Sequence, residues 1–334
     1  MNLHAISLGN HEFEGENNAY LLESAGEVAL IDTGIPRPAI RTQLEAGLDA
    51  AGRTLADVDA VVLTHHHLDH AGLAGAVADA GGADVFVHET DAPLVRRDDD
   101  AVATEYALRA RRFDEWGMPA DQRSALQAFF DRAPTAEPPA RVVELVDGDE
   151  IDVGDATLRT RFAPGHTAGH AIYEFDRAGA TEALVGDVVL PTYTPNVGGA
   201  DLRLDRPLTR YVETLTAVVE RDYERVWPGH RDVIDGPAAR AREILAHHRD
   251  RLENVLDVLE PDETHTAWEI SAELFGELDR VHILHGPGEA HSHVEYLVDR
   301  GAAERVADEE SGRIGYLRAD ESIDAAPFEP AVSD

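Results

Sequence analysis

The sequence contains no cysteine, no lysine and no long hydrophobic run. Without cysteine, the chain has neither a disulfide framework nor a thiolate metal ligand. Because no run of about 18 or more apolar residues exists, we expect no membrane-spanning segment. The first residues lack a basic region followed by an apolar stretch, so no signal peptide is evident and we expect a cytoplasmic protein.

The missing lysine leaves arginine to supply all 29 basic side chains, against 65 acidic ones, and the net charge is −36. A disordered acidic tail is the usual origin of such an imbalance. Here the acidic residues are spread over the whole chain and 43% of residues are hydrophobic, so we expect a folded protein. Its evenly acidic surface resembles that of proteins from extreme halophiles, and salt should screen its self-repulsion.

Histidine and aspartate are concentrated in one short segment, with five such side chains between His65 and His70. Residues 58–63 before it are typical of a buried strand, and residues 71–77 after it indicate the start of a helix. The segment is therefore a loop at the carboxyl end of a strand, where α/β sheets place their sites. Neutral imidazoles with a carboxylate suit Zn²⁺ or a similar first-row metal.

Three later apolar segments end in the same way, in a small or rigid residue and then a metal-type ligand. Glycine lets the backbone approach a crowded site, and proline stiffens the turn. The three ligands are His166 after strand 159–163, Asp187 after strand 183–185 and His230 after strand 225–227.

These four pieces, in this order, resemble the metallo-β-lactamase-fold hydrolases of the glyoxalase II and β-lactamase-like protein 2 type. The resemblance covers roughly residues 1–236 and implies an α/β fold, an αββα sandwich. It implies two Zn²⁺ ions per chain, with Fe or Mn as alternatives. It also implies one ion on His65, His67 and His166, a second on Asp69, His70 and His230, and Asp187 as the bridge between them.

Two metals with a bridging carboxylate imply a hydrolase in which a hydroxide between the metals attacks the substrate. Asp69 is the candidate catalytic residue, since it can orient this hydroxide and pass on its proton. Asp32 is either a buried carboxylate that orients the His65–His70 loop or an ordinary turn residue. Tyr193 and Asn196 either donate to a developing oxyanion or belong to a rigid loop.

The other histidines are expected to lie outside the metal centre. His66 alternates with its neighbours and should point away from them in an extended segment. His170 should form a hydrogen bond within its own loop. Four histidines in the C-terminal part are expected at the surface: His247, His248, His291 and His293.

Residues 88–140 interrupt the strand pattern with two predicted helices, 101–116 and 121–130. This helical insertion is expected to be a lid over the site, the alternative being a peripheral hairpin. Its arginine cluster makes Arg109 and Arg112 candidates for substrate contacts.

The C-terminal part has a different pattern. Residues 237–260 are a connecting helix, residues 261–318 are expected to form a small winged-helix-like domain, and residues 319–334 are expected to be disordered. Winged helices often bind DNA, but the predicted wing tip at residues 308–310 is Asp-Glu-Glu. Because phosphate contacts need Lys or Arg, we expect this domain to pack against the hydrolase part or a second subunit.

Three functions compete. The first is hydrolysis of a small thioester, lactone or ester, and the second is cleavage of single-stranded RNA. The third is a non-catalytic or redox relative, against which the complete ligand set and His67 both argue. The acidic background disfavours a nucleic-acid partner, so a small molecule is the expected substrate, with RNA as the alternative.

Overall fold

Two six-stranded sheets that pack face to face position the candidate metal ligands. The structure is a computed structural model that describes residues 1–10, 15–319 and 326–329. The first sheet contains, in spatial order, β1 (Asn2–Leu8), β2 (Asn17–Ser24), β3 (Glu27–Ile31), β4 (Ala60–Val62), β5 (Asp84–His88) and β6 (Val142–Leu145). The second contains β7 (Glu150–Val153), β8 (Ala156–Phe162), β9 (Ala171–Arg177), β10 (Ala180–Gly186), β11 (Arg225–Pro228) and β12 (Ile234–Asp235).

The apolar side chains of the first sheet contribute to two separate cores, because successive side chains along a strand point to opposite faces of the sheet. Ile31 and Val62 enter the core between the two sheets, where they share a cluster with Tyr173 and Leu184 of the second sheet. Leu30 enters the core on the outer face of the first sheet.

Helices cover both outer faces. On the first sheet, α1 (Pro38–Ala50) and α3 (Ala74–Gly81) flank the short α2 (Leu68–Ala71), which carries part of the histidine-rich segment. On the second sheet, α7 (Pro207–Glu220) packs its buried face against β10 and β11. The expected αββα sandwich is therefore confirmed. The sequence pattern did not predict α7.

The insertion between β5 and β6 is helical, as the sequence predicts. It contains α4 (Ala92–Val95), α5 (Asp99–Glu115) and α6 (Ala120–Phe130). Its buried residues, among them Trp116 and Leu126, form a cluster with Ile283 and Leu284 from the C-terminal part of the chain. The insertion is thus attached to the C-terminal part and is not a free hairpin.

The C-terminal part begins with the long helix α8 (Ala238–Val258). A three-stranded sheet and two more helices follow it: β13 (His265–Thr266), α9 (Ala267–Phe275), α10 (His282–Val298), β14 (Ala303–Ala307) and β15 (Ile314–Arg318). Helix α10 contains Pro287 in its N-terminal half. Because α7, α8 and α10 share one apolar core, this part packs directly on the second sheet's helical layer.

Two expectations about the C-terminal part are wrong in detail. His248, His291 and His293 are buried rather than exposed, since α8 and α10 turn these side chains inward. Phe328, in the predicted tail, packs into the core beside Tyr296. Residues 320–325 and 330–334 of that tail lie outside the described residues. Among the described residues, we find no helix with the length and apolar character needed to cross a bilayer.

Candidate metal centre

The loop that follows β4 is fixed by Asp32 at the end of β3. Asp32 is buried, and its carboxylate accepts hydrogen bonds from the Thr64 backbone N–H at 2.9 Å and the Thr64 hydroxyl at 2.8 Å. It also accepts one from Nδ1 of His70 at 2.9 Å. This carboxylate therefore holds both ends of the loop that carries the histidine-rich segment.

Three imidazoles converge on one point at the edge of the sandwich. Nδ1 of His67 lies 3.0 Å from Nε2 of His65 and 3.1 Å from Nε2 of His166. The opposite nitrogens of His67 and His166 donate to the carbonyls of Ala200 at 3.1 Å and Asn196 at 2.9 Å. Nδ1 of His65 is 3.0 Å from the Thr64 hydroxyl, whose own hydrogen goes to Asp32.

These outer hydrogen bonds fix the tautomers of the imidazole rings, because a carbonyl oxygen can only accept a hydrogen bond and the ring nitrogen that faces it must carry the hydrogen. The three converging nitrogens of His65, His67 and His166 are then lone pairs that face one another at hydrogen-bond distance. Such an arrangement is repulsive unless a cation lies between the nitrogens. The residues present therefore fit a bound metal ion.

A second group of side chains adjoins the first. It comprises Asp69, His70 and His230, whose ligand atoms lie within 4.8 Å of one another. Oδ2 of Asp187 is 3.5 Å from Nε2 of His70 and 3.3 Å from Nε2 of His230. The same oxygen is 3.6 Å from Nε2 of His166, so it lies between the two groups.

Buried polar atoms of this second group have no hydrogen-bond partner among the described residues. They are Nε2 of His70, Nε2 of His230 and Oδ1 of Asp187. A buried polar group left unpaired is costly, and a metal ion between these atoms would satisfy them. A Cβ placed on Gly229 would lie 2.4 Å from Oδ1 of Asp187, so only glycine leaves room for this carboxylate.

The histidines of the two groups differ in the charge state that their surroundings favour. Burial lowers the pKa of His65 and of His67 well below the ordinary value, and neighbouring imidazoles add to the effect. Burial also opposes protonation of His70, but Asp187 and Asp69 outweigh it and raise the His70 pKa. Burial likewise opposes the charge of Asp187, yet His230 and His70 hold its pKa well below the usual range. A positive charge is therefore favoured beside Asp187.

Three residues that the sequence analysis missed support the centre. Asn10 and Asn17 each donate a side-chain N–H to Oδ2 of Asp69 at 3.2 Å, and Thr64 links His65 to Asp32. The sequence carries no signal for Asn10 and Asn17, since single short polar residues form no pattern and their partner Asp69 is distant along the chain.

A cavity of about 320 Å³ opens onto both groups. Asp69, His67, His166 and Asp187 line its floor, and α5 and α6 of the insertion contribute one wall. The N-terminal end of α10 contributes another wall through Val281, His282, Leu284 and His285.

The structure brings only one of the four expected substrate-contact residues to this cavity, namely Arg109. Arg112 lies one helical turn further on and bonds Glu115 at 2.7 Å, so its expected role is not supported. Tyr193 is 46% exposed, and its hydroxyl accepts from Arg231 at 3.2 Å.

Asn196 also faces away from the cavity, because its side-chain N–H groups donate to the His285 carbonyl and to Glu289. Its amide oxygen accepts from the backbone N–H of Gly199 and of Ala200. Asn196 therefore holds the loop whose carbonyls orient His67 and His166.

The remaining two histidines near the loop are outside the two groups. His66 lies 3.1 Å from Asp91, in an ion-pair network with Arg203 and Asp201. Nε2 of His170 accepts the backbone N–H of Asp187 at 3.1 Å, which fixes the turn that carries the Asp187 carboxylate.

Comparisons with known proteins agree with this geometry. A metallo-beta-lactamase family protein from Thermus thermophilus has a similar structure, with a TM-score of 0.72 and 32% identity, and the match covers 95% of this chain and 98% of that one. The probable metallo-hydrolase YqjP of Bacillus subtilis is 25% identical, over 85% of this chain and 88% of its own length. A hydroxyacylglutathione hydrolase of Anaeromyxobacter dehalogenans is 27% identical over 71% of this chain and 75% of its own length.

The family model described as the metallo-beta-lactamase superfamily matches residues 13–230, a range that contains all seven converging side chains. The chain belongs to the metallo-beta-lactamase superfamily and is a metal-dependent hydrolase.

Proposed function

We propose that this protein hydrolyses a small thioester, lactone or ester with two metal ions held by the seven converging side chains. The observation that carries the proposal is the arrangement of lone pairs. Nδ1 of His67 faces the nitrogens of two other histidines at 3.0 and 3.1 Å, and one oxygen of Asp187 lies within 3.6 Å of both groups. Two adjacent cation positions that share one carboxylate account for all of these contacts.

The ligands divide between two positions. His65, His67 and His166 would hold one ion, and Asp69, His70 and His230 would hold the other, with Asp187 contacting both. Neutral imidazoles and carboxylates favour Zn²⁺, and Fe or Mn are the alternatives with the same donors.

When bound, the ions supply Lewis acidity toward the scissile carbonyl and toward the attacking water. Asp69 lines the floor of the cavity, where its carboxylate can accept the proton that the attacking water loses. Asn10 and Asn17 hold that carboxylate in place through its Oδ2 atom. Asp69 is therefore the proposed catalytic residue.

The charges around the cavity favour a small ester over RNA. Among the described residues that line it, Arg109 is the only arginine, and Glu105 pairs with it. A ribonuclease needs a basic track for a polyanion, and high salt weakens such contacts. The name of the Anaeromyxobacter relative describes an enzyme that acts on an acyl compound, which supports the same choice.

A substrate panel tests this proposal. Metal-loaded protein in high salt is assayed against a short thioester, a lactone and a short single-stranded RNA. We expect hydrolysis of the thioester or the lactone, abolished in His65→Ala and Asp69→Ala and retained in His4→Ala, a control in which an exposed histidine is removed. Cleavage of the RNA with no activity on any small ester would reverse the assignment.

The insertion and the C-terminal part have proposed roles as well. The insertion is a lid that completes the cavity, since Arg109 and Phe130 lie on its wall. The helices α9 and α10 with the β14–β15 hairpin form a winged-helix-like domain. Its wing tip is acidic and its apolar core merges with that of the hydrolase part, so we assign it to packing and not to DNA.

A further inference from the structure

The walls of the cavity above the metal centre are largely apolar. Helix α6 supplies Phe129 and Phe130, and α10 with the residue before it supplies Leu284 and Val281. Leu68, between two of the converging side chains, extends the apolar surface down to the floor. Such a wall with a few polar groups at its base is typical of a small-molecule binding site.

The charged side chains of the cavity wall form an ion pair with each other. Arg109 pairs with Glu105 one turn earlier on α5, and its guanidinium lies 4.5 Å from the centre of the Phe130 ring. The arginine is thus held against the aromatic wall, and its charge is balanced. Among the described lining residues, no other arginine is present to bind an anionic tail.

Size limits what the cavity can hold. The cavity has a volume of about 320 Å³ and is lined at its floor by the side chains of the metal centre. The scissile carbonyl and its leaving atom occupy part of this space next to Asp69 and Asp187. The remaining volume accommodates an apolar chain longer than an acetyl group.

We propose that this cavity binds the uncharged apolar acyl group of the substrate, with Phe129, Phe130, Val281 and Leu284 as its contacts. The substrate is then a medium-chain acyl thioester or ester, and not an acetyl or lactoyl compound. The assignment rests on the proposed hydrolase function. It gives the insertion and the C-terminal part a joint role, since each supplies one wall of the acyl site.

A series of N-acetylcysteamine thioesters tests the inference, with acetyl, butanoyl, hexanoyl and octanoyl groups. We expect kcat/KM to rise about 10-fold or more from acetyl to hexanoyl, because apolar contacts in a fitted pocket have effects of this order. Phe130→Ala should lower kcat/KM for the hexanoyl compound about 10-fold and change the acetyl value less than about 2-fold.

Phe275→Ala is the matched control. Phe275 is half-buried like Phe130 and has the guanidinium of Arg251 at the same 4.5 Å, but it does not line the cavity. This variant should keep the wild-type preference for chain length.

A second variant keeps the test decisive if Phe130→Ala does not fold. Ala133 lines the cavity and is only half-buried, so Ala133→Trp should fill the space and move the preference toward shorter chains. Equal hydrolysis of all four thioesters, unchanged in Ala133→Trp, would overturn the acyl site and leave the hydrolase function standing. No hydrolysis of any thioester or ester would instead overturn the proposed function.

Discussion

Asp32 shows how one buried side chain can determine the direction of a ligand's lone pair. It accepts from Nδ1 of His70, so Nε2 of His70 is left to face Asp187. Its backbone has a positive φ of 56°, which asparagine tolerates nearly as well as aspartate. Asp32→Asn therefore changes the chemistry of the contact with little strain, because an N–H₂ group replaces one acceptor oxygen.

We predict that Asp32→Asn lowers metal affinity by about 10- to 100-fold, as is usual when the partner of a ligating histidine is lost. Competition with a metal chelator measures this affinity. Asp59→Asn is the control, because Asp59 also accepts a backbone N–H beside β3, at 2.9 Å from Val28, but contacts neither group. Equal metal affinity in the wild type and Asp32→Asn would show that Asp32 does not orient His70.

The residues of the centre were predictable to different degrees. The spacing from His65 to His70 and the ligands after later strands follow from a pattern within the chain. Asp32 was left open, since an aspartate before a glycine is also an ordinary turn residue. Asn10 and Asn17 could not be predicted, because only the folded chain brings them to Asp69.

Helix α10 contacts the loop that orients two of the histidines. Glu289 on this helix accepts a hydrogen bond from Asn196 at 3.1 Å. Burial raises the pKa of Glu289 from its ordinary value of 4.5 to about 7, although Arg251 and the Asn196 hydrogen bond act in the opposite direction. Between these two pH values the unfolded chain loses this proton before the folded protein does. The stability contributed by Glu289 is therefore present below about pH 4.5 and is lost as the pH rises to about 7.

We predict that Glu289→Gln removes this part of the pH dependence. The variant should gain stability relative to the wild type between about pH 5 and about pH 8, as measured by urea unfolding at both values. Glu304→Gln, at an exposed position of β14, is the control and should leave the difference between the two pH values unchanged. A constant stability difference between Glu289→Gln and the wild type would contradict the raised pKa.

The bounds of the helices were predicted better than the contacts that these helices make. Periodicity placed α5 and α6 within two residues of their observed starts, since both have a clear helical spacing. The first turns of α10 have no clear helical pattern, because glycine and proline around Pro287 obscure it. The sequence pattern also grouped Arg112 with Arg109, but three residues correspond to about 4.5 Å along a helix, which places Arg112 beyond the cavity.

At the scale of the whole molecule, the dominant quantity is the net charge of −36. We infer that the protein is adapted to high salt, because mobile ions screen repulsion between excess acidic side chains. Many surface arginines are already paired with carboxylates, and salt weakens those pairs slightly, but the unpaired acidic excess is larger.

We predict that the melting temperature rises as potassium chloride is increased from low to molar concentration. A parallel sucrose series is the control, since sucrose is excluded from protein surfaces but screens no charge. A melting temperature that stays flat or falls in potassium chloride would remove the inference of adaptation to salt.

The sequence does not predict which elements of the molecule pack against the C-terminal part. The pattern predicted a small domain packed against the hydrolase part or a second subunit, but it did not predict that Ile244, Leu252 and Val294 share one cluster with Leu215 and Val226 of the sandwich. Hydrophobic periodicity shows that a helix has a buried face but not which element covers it. The contact of this part with the cavity therefore emerged only from the structure.

The number of metal ions bound by the wild type and by Asp187→Ala tests the central claim most directly. Asp187 is the only side chain among the described residues whose oxygen contacts histidines of both groups. Elemental analysis of protein purified without chelator should give about two ions per chain, because seven ligands exceed the four of a single tetrahedral site. Asp187→Ala should reduce this number and abolish hydrolysis. A wild-type stoichiometry of one ion that Asp187→Ala leaves unchanged would contradict the dinuclear centre.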